Sequence, residues 1–365
     1  MVFAMNIDEL IRDNLKNFTP YEPGEQPTGD GWIKLNTNEN PYPPIPEVLE
    51  EIKNAINEKL RLYPDPTAFD VRKDILNLLL RDKDTLTNRN TVFVGNGSDE
   101  ILDVIFKTFV NPGDEIVYFT PTYGMYKVLT TLYNGKEVEL KLNDDFTMPD
   151  TAFSAKGKLF FINSPNNPNG KSFGNAAILK ICNNFPGLVV VDEAYADFSE
   201  QTALPLLKKV KNLIVVRTFS KSFSLAGLRI GYALADANII KEMNKVKLPY
   251  NTSYIAQIAA LACIKYRNKI LERNKKIIEE RKRLTQELNQ FKGINVLPSD
   301  ANFIFVKFDD KSKTLKFIWD LKEKKILVRH FSKPGLYPYI RITIGTEEQN
   351  NKFLEAFREI YNKYQ

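Results

Sequence analysis

The amino-acid sequence predicts an α/β fold: a doubly wound, mostly parallel sheet followed by a smaller α+β domain. From Thr91 onward, short β-branched or aliphatic runs alternate with segments whose apolar residues have helical spacing. This alternation is typical of parallel strands joined by helices that cover both faces of a sheet. The length of 365 residues favours about two domains, because a single core of this size is uncommon.

The segments ahead of the sheet are predicted to be helices and loops. Three segments have helical apolar spacing: 6–18, 47–60 and 68–80. The first is a short arm that ends before Thr19-Pro20, and a loop rich in glycine and proline follows it. In Leu62-Tyr-Pro-Asp-Pro66, two prolines predict an extended segment that presents Tyr63 outward, although a packing role is the alternative for this tyrosine.

The strands expected in the large sheet are short apolar runs at 91–95, 115–119, 136–142, 158–163, 187–191, 213–217 and 228–234. Their connecting helices are expected near 98–109, 123–133, 174–184 and 237–247. A long helical stretch then reaches about residue 290, with charges that we assign to a solvated face. Strands at 301–308, 326–329 and 339–344, with helices at 312–323 and 346–363, predict a compact antiparallel α+β unit. The domains are therefore placed at 46–255 and 256–365.

Composition argues against several function classes. Lys and Arg outnumber Asp and Glu by 51 to 45, but the net charge of +6 is interspersed along the chain, unlike a nucleic-acid-binding face. His330 is the only histidine, which argues against histidine-based nucleophile systems and HExxH metal sites. Cys182 and Cys263 form no CxxC pattern, the first residues turn acidic sooner than expected of a signal peptide, and no apolar run reaches the roughly 18 residues of a membrane span. We expect a cytoplasmic protein with no metal, nucleic-acid or membrane partner.

Lys221 lies in a polar turn between two apolar runs, 213–216 and 228–234, that are predicted to be buried strands. Hydroxyl side chains such as Ser220 share this turn, and Arg229 follows eight residues after the lysine, so the turn offers donors that a phosphate needs. Apolar neighbours and nearby cations lower the proton affinity of a lysine, which favours Schiff-base chemistry. From this stretch alone, a basic surface turn is the alternative.

Other polar clusters follow strands of the predicted sheet, at the edge where ligands bind in open α/β folds. Free N–H groups at Gly97, Ser98 and Asp99 open a helix and could bind an anion, with simple helix capping as the equal alternative. Asp192 ends an apolar strand, where a carboxylate is costly unless a cation meets it. A phenol, an amide in a proline-flanked loop and a ring able to stack on a flat ligand lie at the same edge: Tyr195, Asn167 and Tyr123.

Pyridoxal phosphate would use all these groups at once, because it carries a phosphate, a phenolic oxygen, an aldehyde and a ring nitrogen to be kept protonated. The sequence resembles the fold-type-I, aspartate-aminotransferase-like enzymes, and most closely the histidinol-phosphate aminotransferases, in six motifs that begin at Asn38, Tyr63, Ser164, Asp192, Thr218 and Arg341. These read NENPY, YPDP, SPNNPNG, DEAY, TFSKSFSLAGLRIG and RITIGT. The resemblance covers about Thr19 to the C-terminus. Asn169 in place of a usual threonine, and Ser98-Asp99 in place of Ala-Asp, leave fine specificity open.

The resemblance implies a role for each residue around the cofactor. Lys221 would carry the covalent link to the aldehyde, Asp192 would pair with the ring nitrogen, and Tyr195 and Asn167 would bind the phenolic oxygen. Tyr123 would stack on the ring. The phosphate would be held by backbone N–H groups, hydroxyls and a guanidinium: Gly97, Ser98, Asp99, Thr218, Ser220 and Arg229.

The resemblance also implies a homodimer with shared sites, in which Tyr63 reaches the phosphate of the other subunit. The N-terminal arm, residues 1–45, would join the small domain. The substrate would be bound by aromatic, amide and basic side chains: Tyr21, Asn38, Asn40, Arg329 and Arg341.

The activity that the resemblance implies is pyridoxal-phosphate-dependent transamination of L-histidinol phosphate with 2-oxoglutarate, giving imidazole acetol phosphate and glutamate in histidine biosynthesis. An aromatic or other amino-acid aminotransferase, or a phospho-amino-acid decarboxylase of the same fold, is the alternative, because the cofactor motifs do not separate these reactions. A non-catalytic regulator fused to a DNA-binding domain is a further alternative, which the lack of a helix-turn-helix pattern before the sheet disfavours.

Two arginines near the C-terminus favour a dianionic substrate. Arg329 and Arg341 each lie in a short apolar strand, where a guanidinium is costly unless an anion meets it. Histidinol phosphate carries a phosphate and glutamate carries two carboxylates, whereas an aromatic amino acid offers only one anion. We therefore expect histidinol phosphate to be preferred over phenylalanine.

Overall fold

The computed structural model describes residues 6–80, 91–333 and 335–364. Within these ranges, one strand and two helices precede the large sheet: β1 (Ile33–Leu35), α1 (Pro46–Ala55) and α2 (Phe69–Leu80). Pro46 is the first residue of α1, a position where its missing N–H leaves no helix hydrogen bond unmade. The two helices confirm the predicted segments, and the first is shorter because a separate 3-10 turn, Glu58–Arg61, follows it.

The helical arm predicted at 6–18 is wrong. The structure has two 3-10 turns there, Ile7–Glu9 and Asp13–Leu15. Ile7 and Leu10, which gave the helical spacing, are 56% and 68% exposed. An amphipathic pattern stabilises a helix only when its apolar face packs on something, and this segment has no such packing at those two residues.

Among the described residues, the large sheet has seven strands: β2 (Val92–Gly95), β3 (Glu115–Thr120), β4 (Lys136–Lys141), β5 (Leu159–Asn163), β6 (Leu188–Asp192), β7 (Leu213–Thr218) and β8 (Gly231–Ala235). Their order is β2-β8-β7-β6-β5-β3-β4. Only β8 is antiparallel to its neighbours, so the mostly parallel sheet predicted from the sequence is confirmed. β8 begins later than predicted because a 3-10 turn, Ala226–Leu228, and the left-handed residue Arg229 (φ 49°) precede it.

Helices pack on both faces of this sheet: α3 (Gly97–Phe109), α4 (Met125–Leu132), α5 (Asn175–Asn184), α6 (Ala237–Val246) and α7 (Tyr254–Lys265). Alternate residues of β6 enter different apolar clusters. Val189 and Val191 pack with residues of α5 and α7, whereas Val190 packs with residues of α3, α4 and α6. The strand is therefore buried on both sides, which explains its uninterrupted valine run. In the part of the chain that is described, no helix combines the length and apolar character needed to cross a membrane.

The small domain follows with α8 (Arg267–Leu288), β9 (Ile294–Leu297), β10 (Phe303–Phe308), α9 (Lys311–Glu323), β11 (Ile326–His330), β12 (Tyr339–Thr343) and α10 (Glu347–Lys363). Its sheet has the order β1-β11-β12-β10-β9 in the described residues. The three predicted strands and the antiparallel pairing among β9 to β12 are confirmed, but one strand pair of this sheet is parallel. β1 pairs in parallel with β11, with Ile33 opposite Ile326, and β9 was also not predicted.

The N-terminal segment shares the core of the small domain, because Leu35 of β1 belongs to the same apolar cluster as Phe303 and Ile340. Core membership changes within α8: Ile270 packs in the cluster of the large domain and Ile277 in that of the small one. The domain boundary near residue 256 stays a prediction, and the packing of α7 and α8 favours a later position.

Candidate active site

Two glycines allow the Arg229 turn to lie against the start of α3. A Cβ on Gly97, whose φ is +78°, would lie 2.8 Å from Arg229 Nη2. A Cβ on Gly231 would lie 2.9 Å from the backbone nitrogen of Ser98. Asn96, the residue before α3, makes no side-chain capping bond, so the N–H groups at this helix start are not capped by it. Backbone N–H groups and a guanidinium therefore meet at one point.

Hydroxyls and a carboxylate complete the cradle that the start of α3 and Arg229 form. Thr218 Oγ1 donates to Ser220 Oγ at 2.9 Å, and Arg229 Nη1 lies 3.5 Å from the same Ser220 oxygen. Arg229 Nη2 forms an ion pair with Asp99 Oδ2 at 2.7 Å. The sequence predicted Asp99 for its N–H, not for this pairing. The structure thus brings the predicted phosphate-binding groups together and adds a carboxylate that orients the guanidinium.

Asp192 is the last residue of β6 and is 3% exposed. Its Oδ2 accepts a hydrogen bond from the Tyr126 phenol at 2.8 Å, and its Oδ1 accepts one from the Ala194 N–H at 3.1 Å. Burial raises the pKa of this carboxyl to about 6, although both hydrogen bonds favour the carboxylate. Because these two donors are neutral, the carboxylate is suited to receive a cationic group.

Lys221 lies in the turn after β7, with its Nζ 3.4 Å from the Thr37 carbonyl oxygen and 5.8 Å from the centre of the Tyr195 ring. Burial and then the Arg341 guanidinium lower the pKa of this amine to about 8. Arg229, the cation expected from the sequence, acts in the same direction as a smaller cause. This direction agrees with the predicted loss of proton affinity, and a minority of the amine is unprotonated at neutral pH.

Tyr195 and Asn167 lie on either side of a polar cluster that joins the two domains. The Tyr195 hydroxyl accepts a hydrogen bond from Asn38 Nδ2 at 3.0 Å, and Asn167 Oδ1 accepts one from Arg341 Nη1 at 2.6 Å. Thr343 Oγ1 also donates to Asn38 Oδ1, at 3.1 Å. Burial raises the pKa of Tyr195 and Arg341 opposes that effect, so the phenol is a donor near neutral pH. Asn38 therefore holds Tyr195 in place, and its role in binding substrate stays a prediction.

Arg329 and Arg341 lie directly opposite each other on neighbouring strands β11 and β12. Arg341 is 7% exposed and donates to Asn167 and to the Asn36 carbonyl oxygen. Its Nε is buried without a hydrogen-bond partner among the described residues. Arg329 donates to the backbone carbonyls of residues 22–23 at 3.1 and 3.2 Å. Like charges that face each other across a strand pair are destabilising, so this arrangement favours a bound anion.

Tyr21 and Tyr123 form an aromatic wall beside these groups. Their rings meet edge to face, with centroids 5.7 Å apart. The Tyr123 hydroxyl donates to Asp99 Oδ1 at 3.0 Å, which ties this ring to the ion pair of Arg229. A ring fixed in this way could cover one face of a flat ligand, and its stacking on the cofactor stays a prediction.

Tyr63 is 81% exposed and stacks on Tyr250, with ring centroids 4.4 Å apart. The expectation that the proline-flanked segment presents this tyrosine outward is confirmed. Its phenol therefore has little contact with its own chain beyond that stacked ring, and its predicted role at a cofactor phosphate stays a prediction.

Asn40 holds the backbone of the lysine turn. Its Nδ2 donates to the carbonyl oxygens of Lys221 and Ser222 at 3.0 and 3.2 Å. Asn274 of α8, which is 1% exposed, also donates to the Ser222 carbonyl, at 3.0 Å. The sequence predicted Asn40 to bind substrate, and that role stays a prediction. Asn274 was missed because nothing in the sequence of α8 distinguishes it from a solvated polar residue.

The sequence matches the family model for aminotransferase class I and II over residues 30–357. The chain belongs to this family. A histidinol-phosphate aminotransferase of Microcystis aeruginosa is 39% identical over 349 residues, which are 96% of this chain and 98% of that protein. Another, of Clostridium botulinum, is 41% identical over 353 residues, 95% of this chain and 97% of that protein.

The fold of this aminotransferase is also found in a solved structure of the Sinorhizobium meliloti histidinol-phosphate aminotransferase in complex with pyridoxal-5'-phosphate. The TM-score is 0.81 at 24% identity, and the match covers 91% of this chain and 92% of that chain. The predicted fold type I is thereby confirmed.

The site of this aminotransferase fits the cofactor that the resemblance implied. Asp192 is a buried carboxylate whose donors are neutral, as a protonated ring nitrogen requires. Lys221 has the lowered pKa that attack on an aldehyde needs. Tyr126 is a further residue of the site that the sequence did not reveal. It lies three residues after Tyr123, in the first turn of α4, and this closeness in sequence to a predicted site residue was the available signal.

Proposed function

We propose that this chain is a pyridoxal-phosphate-dependent aminotransferase that converts L-histidinol phosphate and 2-oxoglutarate to imidazole acetol phosphate and glutamate in histidine biosynthesis. The observation that carries the substrate choice is the cross-strand pair Arg329 and Arg341, whose guanidiniums donate to neutral oxygens. The relatives named histidinol-phosphate aminotransferase, at about 40% identity over nearly the whole chain, support the same reaction.

Lys221 performs the proton transfer. When bound, pyridoxal phosphate supplies a ring that accepts the electrons released at the amine-bearing carbon of the substrate. The lowered pKa leaves part of the Lys221 amine unprotonated at neutral pH, so that Nζ can accept the proton from that carbon and return it elsewhere. The Thr37 carbonyl, 3.4 Å away, helps to orient this amine.

The remaining residues hold the cofactor and keep its charge. The Asp192 carboxylate would keep a ring nitrogen protonated, and Tyr126 orients that carboxylate through its hydrogen bond. Asn167 accepts a hydrogen bond from Arg341, and Arg341 lowers the pKa of Tyr195 electrostatically. Tyr195 and Asn167 would therefore bind the phenolic oxygen of the cofactor close to an anion held by Arg341. Since amino donor and keto acid use one site in turn, the kinetics are ping-pong.

We place the substrate anions between the two arginines and Tyr21. The dianionic phosphate of histidinol phosphate can pair with both guanidiniums, and glutamate can pair its distal carboxylate with Arg329 and its α-carboxylate with Arg341. When an anion arrives, Arg329 exchanges its bonds to the carbonyls of residues 22–23 for charge-assisted ones. An aromatic amino acid would leave one guanidinium without an anion.

The enzyme is a cytoplasmic homodimer in this proposal. A group of exposed apolar side chains supports the dimer, since it includes the stacked pair Tyr63 and Tyr250 and three leucines: Leu60, Leu62 and Leu248. Tyr63 would donate to the cofactor phosphate of the other subunit. Cys182 and Cys263 are free and buried, in agreement with a reducing compartment.

One titration tests the proposed reaction. The cofactor-loaded protein is mixed with histidinol phosphate, with glutamate and with phenylalanine in turn, while the absorbance of the cofactor is followed. We expect the first two to convert the cofactor to its amino form at low concentration. Faster conversion by phenylalanine would favour an aromatic aminotransferase, and failure of glutamate to convert the cofactor would favour a decarboxylase.

A further inference from the structure

A buried network of ionic and hydroxyl side chains joins β6, β7 and the lysine turn. Arg217 of β7 donates through Nε to Glu193 Oε2 at 2.9 Å, and its Nη2 lies 2.8 Å from the same oxygen. The Arg217 and Glu193 side chains are only 12% and 2% exposed. Arg217 Nη1 lies 3.5 Å from Asp197 Oδ1, and the Ser222 hydroxyl donates to the other Asp197 oxygen.

The two ends of this network lie next to the two groups that a cofactor ring would bridge. Glu193 follows Asp192 in sequence, and Ser222 follows Lys221. In pyridoxal phosphate, the ring nitrogen and the aldehyde are on different sides of one rigid ring, so their protein partners need a fixed separation. A lysine side chain has four rotatable carbons, and its reach is therefore set by where its backbone is held.

We propose that Ser222, Asp197 and Arg217 are positioning residues that fix Lys221 relative to Asp192 for covalent attachment of the cofactor. This inference rests on the proposed function, because it takes Lys221 as the residue of attachment. The Ser222 hydroxyl connects the network to the lysine turn through its bond to Asp197. In the described structure, the Lys221 side chain bonds the Thr37 carbonyl and not this network.

The Glu193 and Arg217 pair does not depend on this last link. Glu193 also accepts hydrogen bonds from the Thr202 hydroxyl and the Ala203 N–H, and Arg217 Nη2 donates to Thr202 Oγ1 at 3.0 Å. Burial opposes the charge of Arg217, but the adjacent Glu193 carboxylate raises its pKa, so the guanidinium stays ionised. Removing the Ser222 hydroxyl therefore leaves the buried ion pair satisfied and changes only the connection to the lysine turn.

The backbone of the turn is held independently. Asn40 and Asn274 donate to the carbonyls at 221 and 222, and Arg273 Nη2 donates to Ser224 Oγ at 2.8 Å. Loss of the Ser222 hydroxyl should accordingly loosen the turn toward β6 without unfolding it. Cradle groups such as Arg229 are not part of the network in the described structure.

The test compares two probes on cofactor-free Ser222→Ala. Pyridoxal phosphate reports covalent attachment, which is measured by absorbance and by borohydride trapping at Lys221. Pyridoxine 5'-phosphate lacks the aldehyde and reports only noncovalent binding, followed by calorimetry. The free energy of a hydrogen bond to a charged group corresponds to a factor of roughly ten or more in a rate or equilibrium constant. We therefore expect the rate of covalent attachment to fall about tenfold, while the affinity for pyridoxine phosphate stays that of the parent.

Three variants control for a merely structural role. Ser222→Thr keeps the hydroxyl and should restore the parent attachment rate. Ser172→Ala removes a half-buried serine hydroxyl whose partner is Ser199, 3.3 Å away, and should leave both probes unchanged. Asp197→Asn weakens the same bond from the acceptor side and should give the same selective loss, which keeps the test available if Ser222→Ala does not fold.

Equal losses of both probes in Ser222→Ala and Asp197→Asn, or no loss of attachment in either, would overturn the positioning role. Attachment of pyridoxal phosphate in the parent to a lysine other than Lys221 would instead overturn the proposed function, whatever the variants do.

Discussion

Replacing Asp192 by asparagine should stabilise the cofactor-free protein while disabling the loaded enzyme. In the cofactor-free protein, burial raises the pKa of this carboxyl from its ordinary value of 3.8 to about 6. The difference of about two pKa units corresponds to roughly 3 kcal/mol of stability lost when the folded carboxyl is ionised. Asparagine keeps the shape but carries no charge, and its oxygen can accept from the Ala194 N–H while its amide N–H donates to the Tyr126 phenol oxygen.

The sign follows from proton binding. Between about pH 4 and pH 6 the folded state of the parent binds the Asp192 proton more tightly than the unfolded state, so parent stability falls as the pH rises through that window. At pH 8 the whole difference is present, and we expect cofactor-free Asp192→Asn to be more stable than the parent by up to about 3 kcal/mol. The advantage should shrink toward pH 4.

Activity should change in the opposite direction. Without the carboxylate, the ring nitrogen loses the charge that keeps it protonated, and we expect turnover to fall by about a thousandfold, or about 4 kcal/mol. Urea unfolding of the cofactor-free proteins at pH 4 and pH 8 measures the stability, and steady-state assays measure turnover. Asp103→Asn is the matched control, because Asp103 also accepts a tyrosine hydroxyl, that of Tyr133 at 2.9 Å, but is only half-buried. An asparagine variant with near-parent turnover and no extra stability at pH 8 would refute the reasoning.

Three further substitutions test the assignment of roles. Lys221→Ala should abolish transamination yet bind the cofactor noncovalently, because the phosphate and ring contacts come from other residues; mass analysis after borohydride treatment of the parent must find the cofactor on Lys221 alone. Lys221→Ala and Tyr63→Ala chains, each poorly active, should regain activity when refolded together, and hybrids without any gain would mean that Tyr63 serves its own chain. Arg329→Ala should lower kcat/KM for histidinol phosphate by roughly 10- to 150-fold, about 1.5–3 kcal/mol, and that for phenylalanine by less. Equal losses for both substrates would make Arg329 a residue of the fold.

The large sheet could be predicted from the sequence because most of its strands are short, continuous apolar runs. Runs such as Leu188–Asp192 are apolar on both faces, and only a strand between two helical layers needs such a run. The small sheet was harder to predict. β1 has three residues and no alternation of its own, and what makes it a strand is pairing with β11 from the far end of the chain. The helix predicted at 6–18 was wrong for the reverse reason, because apolar residues with helical spacing in this segment do not pack against the rest of the protein.

The site could be predicted where chemistry is tied to a strand end. Asp192 and Lys221 fall after buried strands, and a charged group at such a place needs a partner. What the sequence could not supply is register. Asp192 lies opposite Val216, so the next residues in each strand, Glu193 and Arg217, become neighbours. Opposite charges at the ends of two adjacent buried strands were the available signal, and they become informative only once the pairing of those strands is known.

The parallel pairing of β1 with β11 has a consequence for how the chain is made. Ile33 finds its partner at Ile326, roughly 300 residues later, so during synthesis from the N-terminus this strand has no partner until the chain is nearly finished. The seven-stranded sheet needs nothing beyond Ala235 for its strands and can assemble on the emerging chain. Residues 33–40, which hold the lysine turn through Asn40, join last. We therefore expect the turn that carries Lys221 to form on the large sheet before residues 33–40, which brace it, are fixed by the pairing of β1 with β11.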